Sequence, residues 1–254
     1  MNKTLLSSLI FTSVFCLGKV EAWAGFYFSP IIATLTPSGQ SATTSFTVTN
    51  MENVKLAVQI TIVPREPDVN GKEEYKESDK IDELFRIFPN QIVLDPKGVR
   101  TVRVTYTGSP QVASELAYRI IAEELPIDLD DPKKVYSSAV AKITLSTRYI
   151  GSLYVSPKSA KPDIVVEAKK SEKDANIMTL TVNNKGSLHQ VYQKPSLTIQ
   201  SATTGKEVRL PASELKPLMS QNILAGRTRV YQLPWPKDLP ADGPLKVTLD
   251  AGAE

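Results

Sequence analysis

Apolar and polar residues alternate with a period of two along most of this chain, the pattern of strands that bury one face. Within residues 45–50, Phe46 and Val48 fall on one side and Thr47 and Thr49 on the other. Leu56, Val58, Ile60 and Ile62 alternate with Ala57, Gln59 and Thr61, and Val102, Val104 and Tyr106 alternate with Arg103 and Thr105. Further extended runs cover residues 26–36, 84–89, 92–94 and 117–122, and Pro30, lacking an N–H, suits a sheet edge. Turn signals separate the runs at Ser38-Gly39, Asn70-Gly71, Asp95-Pro96-Lys97-Gly98, and Gly108 with Pro110. The charged stretch 65–82 reads as a solvated excursion without chemistry of its own. No run carries a convincing helical period, so the first half predicts an antiparallel sandwich of the immunoglobulin type.

Residues 138–157, SAVAKITLSTRYIGSLYVSP, organise the rest. Ala139, Ala141, Ile143 and Leu145 share one side of an extended chain, and the run continues through Arg148, Tyr149, Ile150, Leu153, Tyr154 and Val155. That is far longer than the usual five or six residues of a strand. Two readings fit: a core strand that bends at Gly151 and leads into another domain, or a strand with one free edge that pairs with a partner's backbone.

Past Pro157 short strand patterns restart at residues 164–168, 178–183, 195–199, 229–233 and 245–249. The second half is therefore also all-β. At its other end, residues 1–24 combine Lys3, an apolar run from Leu5 to Leu17 and the small-x-small sequence Ala22-Trp23-Ala24. This predicts a secretory leader cleaved after Ala24, its apolar run too short to span a bilayer. The expected organisation is a leader over 1–24 and two domains over 25–156 and 157–254. The one cysteine, Cys16, falls in the leader, behind Phe15 where lipidation expects a small residue. The exported chain must then be held by buried apolar surface rather than by disulfides. Eighteen prolines against twelve glycines favour strands and turns over long helices, and a net charge of +3 demands neither nucleic acid nor a membrane surface.

The order of several short motifs carries a resemblance. Phe46-Thr47-Val48-Thr49-Asn50 is followed by Phe88-Pro89, Leu94-Asp95-Pro96-Lys97-Gly98 and Val102-Arg103-Val104. Then come Glu115-Leu116-Ala117-Tyr118-Arg119-Ile120 and Glu124-Leu125-Pro126. This succession resembles the PapD-like periplasmic pilus chaperones over the first domain, and in outline over the second at Val182-Asn183-Asn184 and Asp242-Gly243. The resemblance implies two immunoglobulin-like β-sandwich domains in an L-shaped arrangement, acting in the periplasm. It also implies that alternating residues of the first domain's last strand complete a pilus subunit lacking a strand, before hand-over to an outer-membrane usher. Carried over by position, Ala139, Ala141, Ile143 and Leu145 would fill the subunit's groove. Self-association of the free strand is left open.

The family's well-known members hold the subunit's terminal carboxylate with an arginine in the first strand and a lysine in the last. Here residues 29–36 have no cation and the lysine position falls near Gly151-Ser152. Arg148 and Arg119 are the nearest substitutes, since a guanidinium offers two parallel donors to a carboxylate. The competing reading makes Arg148 a solvated strand residue and lets Arg119 satisfy a loop carboxylate. Glu115 and Asp242 match an interdomain ionic contact of the family, whose arginine partner falls at Ser156, leaving Lys158 as a replacement.

Catalysis finds little support. The one histidine, His189, sits in a polar turn, and no Gly-x-Ser-x-Gly elbow accompanies it. Ser213-Glu214-Leu215-Lys216 matches a Ser-x-x-Lys string without its supporting motifs. Neither a cofactor nor a metal is expected, because cysteine and histidine ligands and calcium-loop spacing are lacking. The alternative to a chaperone is an exported immunoglobulin-like structural or adhesive module.

Overall fold

The computed structural model describes residues 25–127, 146–240 and 243–252. Ala139, Ala141, Ile143, Leu145 and Asp242 lie outside the described residues. The first unit contains β1 (Phe26–Ser29), β2 (Ile32–Leu35), β3 (Thr43–Asn50), β4 (Leu56–Pro64), a short α1 (Lys80–Leu84), β5 (Phe85–Phe88), β6 (Gln91–Leu94), β7 (Val99–Tyr106), β8 (Leu116–Glu124) and β9 (Arg148–Val155). The second contains β10 (Ile164–Lys170), β11 (Ile177–Asn184), β12 (Gln190–Tyr192), β13 (Ser196–Ser201), β14 (Glu207–Leu210), β15 (Gln221–Ile223), β16 (Thr228–Pro234) and β17 (Leu245–Asp250).

Two sheets make the first sandwich, one in the order β1-β3-β7-β5 and the other in the order β2-β9-β8-β4-β6. The extended run at residues 26–36 is thus two strands. It changes sheets at Pro30: β1 pairs antiparallel with β3, and β2 pairs parallel with β9. That parallel pair departs from the wholly antiparallel expectation. Between the sheets lie Phe28, Phe46, Ile60, Val102, Val104, Ile120 and Leu153, nearly all without solvent exposure, and Phe28 stacks on Phe46 at 5.2 Å. The second unit buries a separate core, including Met178, Leu180, Val182, Leu197, Ile199 and Leu233, between the sheets β10-β11-β16 and β14-β13-β17. Both sandwiches therefore follow from the period-two pattern, alternate residues turning toward and away from each core.

Gly151 marks a close backbone approach in the first unit. A Cβ there would meet the Ile31 carbonyl oxygen at 2.8 Å and the Ile120 side chain at 2.9 Å, so β2 could not come alongside β9 with a larger residue. No helix among the described residues is long and apolar enough to cross a membrane.

Phe46→Ala should lower unfolding stability by about 3–5 kcal/mol through lost burial and the residual cavity. Tyr27→Ala, at a side chain 54% exposed, should change it by less than about 0.5 kcal/mol. Urea denaturation of both variants measures the contrast.

Candidate functional site

The ladder around β9 is asymmetric. On one side β8 pairs with it along its whole length, from Glu123↔Arg148 to Leu116↔Val155. On the other, β2 pairs only from Ile32↔Ser152 to Leu35↔Val155, with the Ser152 N–H donating to the Ile31 carbonyl at 2.8 Å. Residues 148–150 therefore have no strand on their second side among the described residues. Tyr149 closes the core beneath this edge, its ring 5.1 Å from that of Phe26. An edge of unpaired backbone groups is a template for an added strand.

The outer face of the same sheet carries a charged cluster. Register places Val63, Arg119 and Ser152 in one row of β4, β8 and β9. The Arg65 N–H continues the ladder to the Ala117 carbonyl, opposite Tyr154. Alternation aims Arg65, Arg119, Ser152 and Tyr154 away from the core. Over them folds the irregular segment 66–79, whose Tyr75 and Glu77 line one pocket with Val63 and Ile121, only 1% and 2% exposed. Most of the segment's side chains are exposed, as its charges suggest, but it is not without a role of its own in the packing. Its Glu73 side chain, 11% exposed, reaches back to both arginines. Arg119 donates from Nε to Oε2 at 2.7 Å and from Nη2 to Oε1 at 2.8 Å, a two-pronged grip, and from Nη1 to Ser152 Oγ at 2.7 Å. Arg65 donates from Nε to Oε1 at 2.9 Å and from Nη1 to the Tyr154 hydroxyl at 2.7 Å. Burial pushes the Glu73 carboxyl up, but the Arg119 hydrogen bond and the Arg65 charge and hydrogen bond outweigh it and hold the group below its ordinary value.

Tyr154 links this cluster to the second unit. Its hydroxyl accepts from Asn222 Nδ2 at 2.8 Å, and its ring stacks on His189 at 4.4 Å. His189 Nδ1 stands 2.6 Å from Glu115 Oε1, and the Glu115 carboxylate, 1% exposed, also accepts from the Ser156 hydroxyl. The 66–79 segment crosses as well: Val230 N–H donates to the Val69 carbonyl at 2.9 Å and Arg229 Nη2 to the Asn70 carbonyl at 3.3 Å. Gly71 lies at a φ of +88°, where a Cβ would overlap the Arg229 guanidinium.

Arg119 and Arg148 are not brought together. They stand four residues apart along the ladder, roughly 13 Å at strand rise. Arg148 instead pairs with Glu123 at 3.5 Å, both about half exposed, beside the Tyr75 ring. Glu115 does reach the second unit, but to His189; Lys158 is exposed and in none of the ion pairs among the described residues. Arg65, Glu73, Tyr154 and His189 were missed as site residues. Only the parity of Tyr154 with Ser152 hinted at any of them. No cluster of three or more His, Cys, Asp or Glu among the described residues is placed to hold a metal.

Removing Glu73 would leave two largely buried guanidinium groups without their carboxylate. Glu73→Gln should therefore destabilise the protein at pH 7 by about 3 kcal/mol. Because the folded pKa lies below the unfolded value, near 4.5, this stabilisation is complete above that value and is lost as pH falls through the folded one. Urea melts of wild type and variant between neutral and acid pH should converge at the acid end, and a constant gap would contradict the ion cluster.

The family described as "Pili and flagellar-assembly chaperone, PapD N-terminal domain" matches residues 33–161. No curated protein matches the chain. Among solved structures, CfaA, a class 5 fimbriae chaperone, is similar with a TM-score of 0.56 at 13% identity, over 89% of this chain and 98% of that one. The complex of the Salmonella enterica SafA pilin with the SafB chaperone gives a TM-score of 0.51 at 12% identity, over 83% and 84%. The CsuC–CsuE chaperone–tip subunit complex of Acinetobacter baumannii gives 0.50 at 16% identity, over 82% and 90%. At identities this low the likenesses speak to the fold alone: two immunoglobulin-like sandwiches. The family match, spanning half of the chain, goes further: this chain belongs to the PapD-type pili and flagellar-assembly chaperones, a family of non-enzymatic chaperones.

Proposed function

We propose that this chaperone binds pilus subunits in the periplasm by adding its own strand to their incomplete fold, and then delivers them to an outer-membrane usher. The observation that carries the reading is the unpaired edge of β9 at residues 148–150, directly downstream of the apolar run 138–145. By alternation, Ile143 and Leu145 share the parity of Tyr149 and Leu153, and with Ala139 and Ala141 they supply the side chains for a subunit's groove. Each large aliphatic residue buried there is worth roughly 1.5–3 kcal/mol. SafB and CsuC, whose folds this chain shares, are solved with a pilin and a tip subunit. The leader over residues 1–24 exports the protein, and the domains extend over 25–156 and 157–254.

In this reading Arg119 and Arg65, rather than Arg119 and Arg148, receive the subunit's terminal carboxylate. Two guanidinium groups converge on one carboxylate at the cleft between the units, beside Ser152, the residue nearest the family's lysine position. Arg148 stays as an edge residue paired with Glu123.

Tagged wild-type protein, expressed with the pilus genes adjacent to its own, should copurify from the periplasm with a small subunit one to one. Leu145→Asp and Ile143→Asp should each lose at least about tenfold in subunit recovery, from lost burial and an unpaired buried charge, with circular dichroism unchanged. Undiminished recovery in both folded variants would contradict strand addition through this run. Arg119→Ala should weaken capture by roughly tenfold, the scale of one charge-assisted hydrogen-bonded pair, whereas Arg148→Ala should leave it within about twofold.

A further inference from the structure

We propose that Glu73 is an internal ligand of the two-arginine site, holding the place of the subunit's terminal carboxylate until a subunit displaces it and frees segment 66–79 from the second unit. The inference rests on the carboxylate-anchor reading above and adds a competitor to it.

Three observations support it. First, the site is built for a carboxylate and is not specific to a side-chain one. Arg119 presents Nε and Nη2 as a parallel fork and Arg65 adds Nε from a second direction, while Ser152 and Tyr154 hold the remaining prongs in place. A chain terminus offers the same two oxygens as Glu73. Two guanidinium groups against one carboxylate also leave a positive charge over, which favours an incoming anion.

Second, the occupant is detachable. Glu73 rides on an irregular segment rather than on a strand or helix, so its departure breaks no ladder. Apart from Glu73, the segment's polar ties to the rest of the described protein are few: the Val69 and Asn70 carbonyls, an exposed Glu66–Arg227 pair at 3.7 Å and the neighbourhood of Tyr75 and Arg148. Third, open space adjoins the site on its Arg65 side. A cleft of about 230 Å³ opens beside Arg65, lined on the first unit by Pro64, Glu115 and Leu116 and on the second by Leu224 and Arg227.

Displacement has a structural consequence. The same segment gives Val69 to Val230 and Asn70 to Arg229, with Gly71 pressed against the Arg229 guanidinium. Releasing Glu73 therefore loosens a tie between the two units at the moment a subunit binds, so that capture and interdomain freedom are coupled.

The test uses N-acetylglycine as a minimal free carboxylate, its amide as control, and NMR of the arginine Nε–H signals at constant ionic strength. In Glu73→Ala, N-acetylglycine and not the amide should shift the Arg65 and Arg119 signals, at concentrations at least about tenfold lower than wild type requires. In wild type, saturation should also speed exchange of the Val230 amide. Carboxylate-dependent shifts with equal affinity in the two proteins would keep the anchor and overturn the displacement. Absence of any shift at either arginine in both would overturn the anchor itself and the inference with it. Should Glu73→Ala fail to fold, Glu73→Gln replaces it, and an unchanged Val230 exchange rate in saturated wild type overturns the proposal.

Discussion

A strand paired along one side only must leave donors and acceptors facing outward on the other, and β9 is in that position for the first part of its length. β8 accompanies it throughout, whereas β2 joins it only from Ser152 onward. The cause lies in the sheet change at Pro30, which gives β1 to the opposite sheet and leaves β2 four residues with which to cover the edge. Gly151 marks the boundary: downstream the two backbones lie side by side, and upstream the edge is open. A partner strand is the natural way to satisfy such an edge, and the apolar run before it gives that partner something to bury.

The two faces of β9 divide the labour. Its core face, through Tyr149, Leu153 and Val155, belongs to the first sandwich. Its outer face, through Ser152 and Tyr154, belongs to the cleft between the units, where Arg65, Arg119, Glu73, His189 and Glu115 converge. In the proposed function, strand alternation alone separates apolar capture from carboxylate recognition, so that one strand could serve both without the two competing for the same side chains. Burying so many charges would be costly if they were unpaired, and the shared carboxylate of Glu73 is what makes two largely buried guanidinium groups tolerable in this structure.

The sandwich was legible in the sequence because its strands bury one face. Phe46 with Val48, and Val58 with Ile60, announce the period of two without any knowledge of their neighbours. What was not legible depends on distance along the chain. Whether residues 26–36 form one strand or two depends on which sheet each half finds, and Pro30 alone does not say. β12 and β15, three residues each, are too short to show a period. Glu73 sits in a charged run with the composition of a solvated loop, and its partners are eight and forty-six residues away. His189 looked like a turn residue because Glu115, which it meets, is seventy-four positions earlier. Arg119 does lie in the cleft, where Glu73 joins it to Arg65, while Arg148 pairs with Glu123 farther along the strand, a meeting that depends on residues distant in the chain.

Hydrogen–deuterium exchange on the free chaperone and on its complex with a subunit tests the edge most directly. Within the peptide covering residues 146–151, the amides that face away from β8, those of Arg148 and Ile150, should exchange quickly in the free protein and become strongly protected in the complex, while residues 152–155, already paired with β2, should change little. Equal protection of residues 146–151 in both states would mean that no strand is added there, and would contradict the account.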